Sequence, residues 1–256
     1  MAITSPATGE RSVADRLLGI LGAFDAKNRE LTVSEISRRC GIPIATTHRM
    51  VAKLISWGAL ERTIEGRCTI GLWLWSQTAR ATRHFALHDV AMPHMLQLHD
   101  RTRTMVNLSV MDDLDGVWLE SIWSNQECYS DSRAVGNRFP LHATASGMVL
   151  LAHADPATQE RFFAGHPNSR DKFTASDAAE LRKEFRQVKH QGFAVYEGEL
   201  DDGVIAIAAP VRERNGNVIA ALAANVCPIS QEIPNRSRLV RAAAQRVSSA
   251  LALLQA

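Results

Sequence analysis

Apolar and polar positions recur along this chain in two periods, one near 3.6 residues and one near 2. At the start, Val13, Leu17, Ile20, Leu21 and Phe24 follow the three/four spacing of a single helix face. Ser12 precedes the stripe and Asp15 stands three residues later, a helix-start pair. After a polar break at 25–30, Thr32 and Glu35 repeat that arrangement ahead of Ile36 and Cys40. Gly41 then supplies the positive-φ residue that closes a helix. Pro43, whose missing N–H costs nothing in a first turn, predicts a third helix over about 44–57. Its buried face is Thr47, Met50, Val51 and Leu54, and Gly58 stops it. Two β-prone runs, 59–62 and 67–70, flank Glu65 and Gly66 as a hairpin. Helix, short Gly-containing turn, helix, hairpin is the order of a helix-turn-helix followed by a wing. In that arrangement the second helix of the pair enters a major groove. The positions that would face it are Ile44, Ala45, Thr46, His48 and Arg49, with Arg62 and Arg67 on the wing.

Past residue 72 the pattern is mixed. A broken stripe of Leu72, Trp75, Ala79, Phe85 and Ala86 predicts a helix over 72–87, and another follows at about 91–102. Apolar runs at 105–111 and 117–123, split by an acidic turn, predict two antiparallel strands. Helices are expected at 143–154, at 156–163 and at 176–191, the last with Ser176 as N-cap, Leu181, Phe185 and Val188 inward, and Gly192 after it. Strands at 193–196, 204–211 and 218–226 follow, with Asn215 and Gly216 as a hairpin turn, and a helix over 233–254 ends the chain. Strands and helices mixed in this way, with hairpins, predict an α+β domain on an antiparallel sheet.

Charge changes this picture in one place. The 256 residues carry 29 Lys/Arg against 27 Asp/Glu, a net charge of +2. Within 36–70, however, Arg38, Arg39, Arg49, Lys53, Arg62 and Arg67 face only Glu61 and Glu65. A basic patch on a short helical domain is the electrostatic footprint of phosphate contact. Composition is that of an ordinary soluble protein, 46% hydrophobic and 22% charged. The longest uncharged apolar runs are 8 and 9 residues, where a membrane helix needs roughly 20. Residues 1–11 lack an apolar export signal and are expected as a flexible tail, so the cytoplasm is the expected location. Cysteines at 40, 68, 128 and 227 form no metal-clip spacing and are expected as small buried or semi-buried residues.

Enzyme constellations do not assemble. There is no Walker loop, no dinucleotide glycine fingerprint and no G-x-S-x-G elbow, since the segment at 144–147 lacks the first Gly. His84 and His88, four apart, with His94 and His99 beyond, read as exposed histidines because no acidic or Cys ligand follows at fixed spacing. Asp112, Asp113 and Asp115 read as a turn rather than a cation loop, and Glu197, Glu199, Asp201 and Asp202 as a solvated acidic loop. No catalytic residue, metal ligand or cofactor is expected.

Three separated stretches resemble the IclR family of bacterial transcriptional regulators: TVSEISRRCGIPIATTHRMV at 32–51; RFPLHATASG at 138–147 with VLLA at 149–152; and GVIAIAAPV at 203–211 with NGNVIAAL at 215–222. The resemblance runs in register over about 11–256. It implies a winged helix-turn-helix domain at 12–72, a linker helix at 73–90 and a GAF-like effector-binding domain at 91–256. It also implies a homodimer or tetramer on a palindromic operator in double-stranded DNA. Arg38, Arg39 and Lys53 would join the wing and recognition residues at the DNA. Ala145, Ser146, Tyr196, Ala206, Ala223 and Asn225, with Trp118 a further candidate, stand where the family's effector pocket lies. The family often has Asp where Tyr196 stands, Cys at Ala206 and Ser at Ala223 and Asn225, so this pocket is expected to be less acidic and partly apolar. The wing also departs, closing on Cys68-Thr-Ile-Gly71 instead of an aromatic–Arg–Leu–Gly run. The leading expectation is therefore a ligand-responsive, sequence-specific DNA-binding regulator that senses a small carboxylate or aromatic acid. Its alternative is a small-molecule enzyme or sensor whose N-terminal module binds protein or RNA.

Overall fold

The computed structural model describes residues 12–25, 27–81, 83–123, 133–165, 175–197, 205–226 and 233–254. The expected tail at 1–11, the acidic residues Glu199, Asp201 and Asp202, and Cys128 and Cys227 lie outside these. The chain divides into two compact units, Met1–Phe85 and Ala86–Ala256.

In the first unit, helix α1 spans Val13–Leu21, α2 spans Val33–Cys40 and α3 spans Ile44–Ser56. Capping boxes start the first two: Ser12 with Asp15, and Thr32 with Glu35. Gly41 ends α2 in the left-handed region at φ +63°, and its N–H donates to the Ser37 carbonyl. Pro43 is the N-cap of α3 rather than its first residue, with the Thr47 N–H donating to its carbonyl. Ile20, Leu31, Ile36, Val51, Leu60 and Cys68 form the core of this unit, all nearly inaccessible to water. Val13, expected on the inner face of α1, is 64% exposed, whereas Ile20 two turns on is fully buried. Strands β1, Leu60–Arg62, and β2, Cys68–Ile70, pair antiparallel, and Cys68 also bridges to Leu31. The hairpin is thereby tied to the segment that leads into α2. Helix α4, Leu72–Ala81, completes the unit.

Helix α5 spans Arg83–Thr102. The break expected between 87 and 91 is absent, because Leu87, Ala91, Met95 and Leu98 form one continuous buried stripe. Pro93 lies on the exposed side of that helix. The second unit is built on a six-stranded antiparallel sheet of order β5-β4-β3-β8-β7-β6. Its strands are β3 (Val106–Asp112), β4 (Asp115–Ile122), β5 (Arg138–Pro140), β6 (Ala194–Glu197), β7 (Ile205–Arg212) and β8 (Val218–Val226). Strand β5 was not expected; its short Arg-Phe-Pro run carries no alternation. Helices α6 (Ala145–His153), α7 (Pro156–Phe163), α8 (Ala175–Gln191) and α9 (Ile233–Leu254) complete the unit. Helix α8 begins at Ala175, so Ser176 is inside it and is not the N-cap.

Alternation sorts the strands into two faces. Val106, Leu108, Val110, Ile205, Ile207, Leu222 and Ala224 point to a core shared with α5 and α9. The opposite face carries Trp118, Ala206, Ala208, Ala221 and Ala223, covered by Met148, Val149 and Leu151 of α6 and by Phe185 and Val188 of α8. One face is therefore large and branched, the other mostly alanine.

Candidate nucleic-acid interface and ligand site

Helix α3 presents two faces of different chemistry. Thr47 and Val51 are fully buried, and the Thr47 hydroxyl donates to the carbonyls of Ile42 and Pro43 at 3.3 and 3.2 Å. Ala45, His48, Arg49 and Lys53 are exposed on the other side, Ile44 is 46% exposed, and Thr46 is half-buried. Arg38, near the end of α2, is also exposed. The wing arginine Arg62 donates from Nη1 to the Gly66 carbonyl at 2.7 Å, closing its own turn.

Two arginines expected at the DNA also make contacts within the domain. Arg39 pairs with Asp25 at 2.6 Å. Arg67 donates from Nη2 to Glu35 Oε2 and to the Glu30 carbonyl, both at 3.0 Å. Glu35 Oε2 also accepts from the Thr32 N–H at 2.7 Å and the Thr32 hydroxyl at 2.9 Å. These Thr32 bonds, with the Arg67 charge next in strength, hold the Glu35 carboxyl below the usual carboxylate range. Arg67 thus braces the wing against α2. The capping box is a local signal in the sequence; its third partner, 32 residues away, has none. Burial pushes the Cys68 thiol up, as befits a packed core residue.

In the second unit, register places most of the expected ligand residues in neighbouring rows. Tyr196, Ala206 and Asn225 lie opposite one another across β6, β7 and β8. One row on, Ala194, Ala208, Ala223 and Asn107 follow across β6, β7, β8 and β3. Ala206 and Ala223 are fully buried, Asn225 is almost so, and Tyr196 is half-buried. Above this floor, Ala145 and Ser146 open α6, whose N-cap Thr144 accepts from the Gly147 N–H at 2.9 Å. Ser146 donates weakly to Asn107 Oδ1 at 3.4 Å, which brings the helix start onto the polar part of the floor. Gly147 lets the turn before α6 close against the helix: a Cβ there would lie 1.9 Å from the Leu141 carbonyl oxygen.

Asn107 and Ser109 were missed in the sequence. Their signal was present: two polar residues two apart inside the apolar run 105–111, hence on one face of a strand. Both are buried. Trp118 is fully buried and stacks on Phe139, with ring centroids 4.1 Å apart and planes at 30°.

The remaining candidates take structural roles. His88 is half-buried rather than exposed, with Nε2 3.0 Å from Glu120 and Nδ1 3.2 Å from Asp89. Arg138 pairs with Asp112 and Asp115, and Arg161 with Asp113, so each acid of the turn meets an arginine. Among the described residues no three His, Cys, Asp or Glu side chains gather as metal ligands would, and no helix is long and apolar enough to cross a membrane.

Comparison with known proteins agrees with both halves. Residues 13–63 match the model of the IclR helix-turn-helix domain. Residues 79–249 match that of the bacterial transcriptional regulator IclR C-terminal domain. The chain is 29% identical over 212 residues to the HTH-type transcriptional regulator XynR of Escherichia coli K12, covering 81% of this chain and 83% of that one. It is 30% identical over 217 residues to the Pca regulon regulatory protein of Pseudomonas putida, covering 81% and 71%. Among solved structures, an IclR homolog from Microbacterium hydrocarbonoxydans complexed with 4-hydroxybenzoate is similar, with a TM-score of 0.84 and 31% identity over 94% of this chain and 99% of the other. These relatives are named as regulators or regulator homologs, none as an enzyme.

Proposed function

The chain belongs to the IclR family of bacterial transcriptional regulators, and from that premise we propose that it is a sequence-specific DNA-binding regulator, acting in the cytoplasm, whose C-terminal domain senses a small aromatic acid. The DNA-binding domain is taken as 12–72, the linker as 73–90 and the effector domain as 91–256. The observation that carries the DNA reading is the exposed face of α3, with Arg49 and Lys53 set against the buried Thr47 and Val51. Ile44, Ala45, Thr46, His48 and Arg49 approach base edges in a major groove; Arg38, Lys53 and Arg62 approach phosphate. Two copies act together on a palindrome, since one such domain offers too few contacts for tight, specific binding.

The effector reading draws on two supports. The alanine floor beside Ser146 and Asn107 is small and apolar with a polar end, the usual chemistry of a small-molecule site. The 4-hydroxybenzoate complex of the Microbacterium homolog supports an aromatic acid as the ligand class. An effector alters DNA binding only if it prefers one arrangement of the dimer over the other. The test is binding to the DNA upstream of the chain's own gene, followed against salt with and without 4-hydroxybenzoate. Tight binding that weakens steeply with salt, and shifts with ligand, is expected. Binding that ignores both salt and sequence overturns the proposal.

A further inference from the structure

Strand β3 alternates between two environments. Leu108 and Val110 face the α5–α9 core, whereas Asn107 and Ser109 turn to the alanine face. Ser109 pairs in register with Trp118 of β4, at a bulge that turns Trp118 to this same face. Both residues are 0% exposed. Among the described residues, neither the Ser109 hydroxyl nor the Trp118 indole N–H has a hydrogen-bond partner. Buried polar groups are nearly always paired, and an orphan costs the domain its desolvation. Two orphans on directly opposed residues are therefore a feature that folding alone does not favour.

The indole is also clamped. The Trp118 N–H of the main chain donates to the Asn137 carbonyl at 3.1 Å, its carbonyl accepts from Gly136 at 2.8 Å, and its ring stacks on Phe139. An indole nitrogen only donates, and a serine hydroxyl can donate. Two donors side by side in a dry site match one acceptor group, and a carboxylate offers an oxygen to each.

The geometry points to Ser109 and Trp118 as the oxygen-binding end of the effector site, holding the carboxylate of an aromatic acid whose ring lies over Ala221 and Ala223. This assignment rests on the reading of the second unit as an acid sensor. By register Ala221 shares a row with Ser109 and Ala223 lies in the next, with Asn107, so ring and carboxylate are neighbours. Tyr196 is three strands from β3, roughly 14 Å across the sheet. That is beyond a single benzoate, so Tyr196 lies outside the carboxylate end.

The experiment is calorimetric titration of the full chain with 4-hydroxybenzoate, benzoate and neutral benzamide, beside melting of the ligand-free protein. Wild type is expected to bind the two acids at least tenfold tighter than benzamide. Ser109→Ala and Trp118→Phe should each weaken acid binding about tenfold and narrow the preference over benzamide. Their ligand-free melting temperatures should hold or rise, since each loses an orphan donor. If acid affinity and preference are unchanged in both variants while wild type binds, the assignment falls and the aromatic-acid reading survives. If wild type binds neither acid, both fall. Should Trp118→Phe melt lower through lost packing on Phe139, the Ser109→Ala titration decides.

Discussion

Glu35 gathers three donors on one carboxylate oxygen, two from Thr32 and one from Arg67. Its folded carboxyl is thus held below its unfolded value. A depressed carboxylate contributes stability that is present above the unfolded value, about 4.3, and is lost as pH falls through the folded one. Glu35→Gln can still cap α2 but carries no charge for Arg67. The variant should therefore melt closer to wild type at pH 3.5 than at pH 7, as thermal scans at the two values would show. A gap that widens in acid would place the Glu35 contribution elsewhere. Ala223 makes the corresponding test in the second unit. It is fully buried between Ala208 and Asn107. Leu at that position adds about three heavy atoms, and overpacking a filled core costs about 1–3 kcal/mol. If Ala223 floors a ligand space, Ala223→Leu should melt within about 2 °C of wild type and lose the ligand-induced rise in melting temperature. A ligand at about 100 times its Kd otherwise stabilises by roughly 2.7 kcal/mol, which makes that loss easy to read. A clear drop in the ligand-free melting temperature would return Ala223 to the core.

At the scale of elements, the proposed DNA face of α3 would make two kinds of contact. Lys53 stands one turn beyond Arg49 on the exposed side. Lys53→Ala should weaken binding about equally for every DNA sequence and reduce the salt slope by about 1, whereas Arg49→Ala should relax preference at one base pair. Fluorescence anisotropy across a salt series with operator and scrambled DNA separates them; an unchanged slope in the Lys53 variant would show that it points away from DNA. The bounds of α3 were legible because its signals are local: Gly41, Pro43 and Gly58 punctuate it, and Thr47 and Val51 mark its inner face. The same holds for α7, whose ends match the pattern and whose N-cap is Asp155. Elements set by distant contacts were not legible. Strand β5 exists because Arg138, Phe139 and Pro140 pair with 115–117 on β4. Helix α5 runs through Pro93 because its buried stripe packs on the sheet. The candidate site divides likewise: Ala206 and Ala223 stood out only through resemblance, and Ser109 and Trp118 gained meaning once register set them opposite each other.

At the scale of the whole molecule, the first unit carries apolar surface its own core does not use. On α1, Val13 is 64% and Leu18 62% exposed; on α4, Leu72, Trp73 and Trp75 are 67%, 44% and 61% exposed. Trp57, 63% exposed, meets Trp73 edge-to-face with centroids 6.5 Å apart. Single exposed apolar residues are ordinary, but several on two helices of one small unit are what an interface between copies leaves when the copies are apart. The palindromic operator proposed above would ask for the same partner, because a two-fold site needs a two-fold protein. Dimerisation through α1 and α4 should therefore be broken by charge placed on this surface. Sedimentation of wild type should give at least a dimer, and Trp75→Glu combined with Leu18→Glu should give a 28.1 kDa species. Both positions are already open to water, so the monomer should keep its helical circular dichroism. Its operator affinity should fall by two orders of magnitude or more, while weak non-specific binding remains, since each copy keeps its own basic face. A wild-type monomer that binds its operator tightly would sink the dimer and leave the exposed tryptophans to be explained by some other partner.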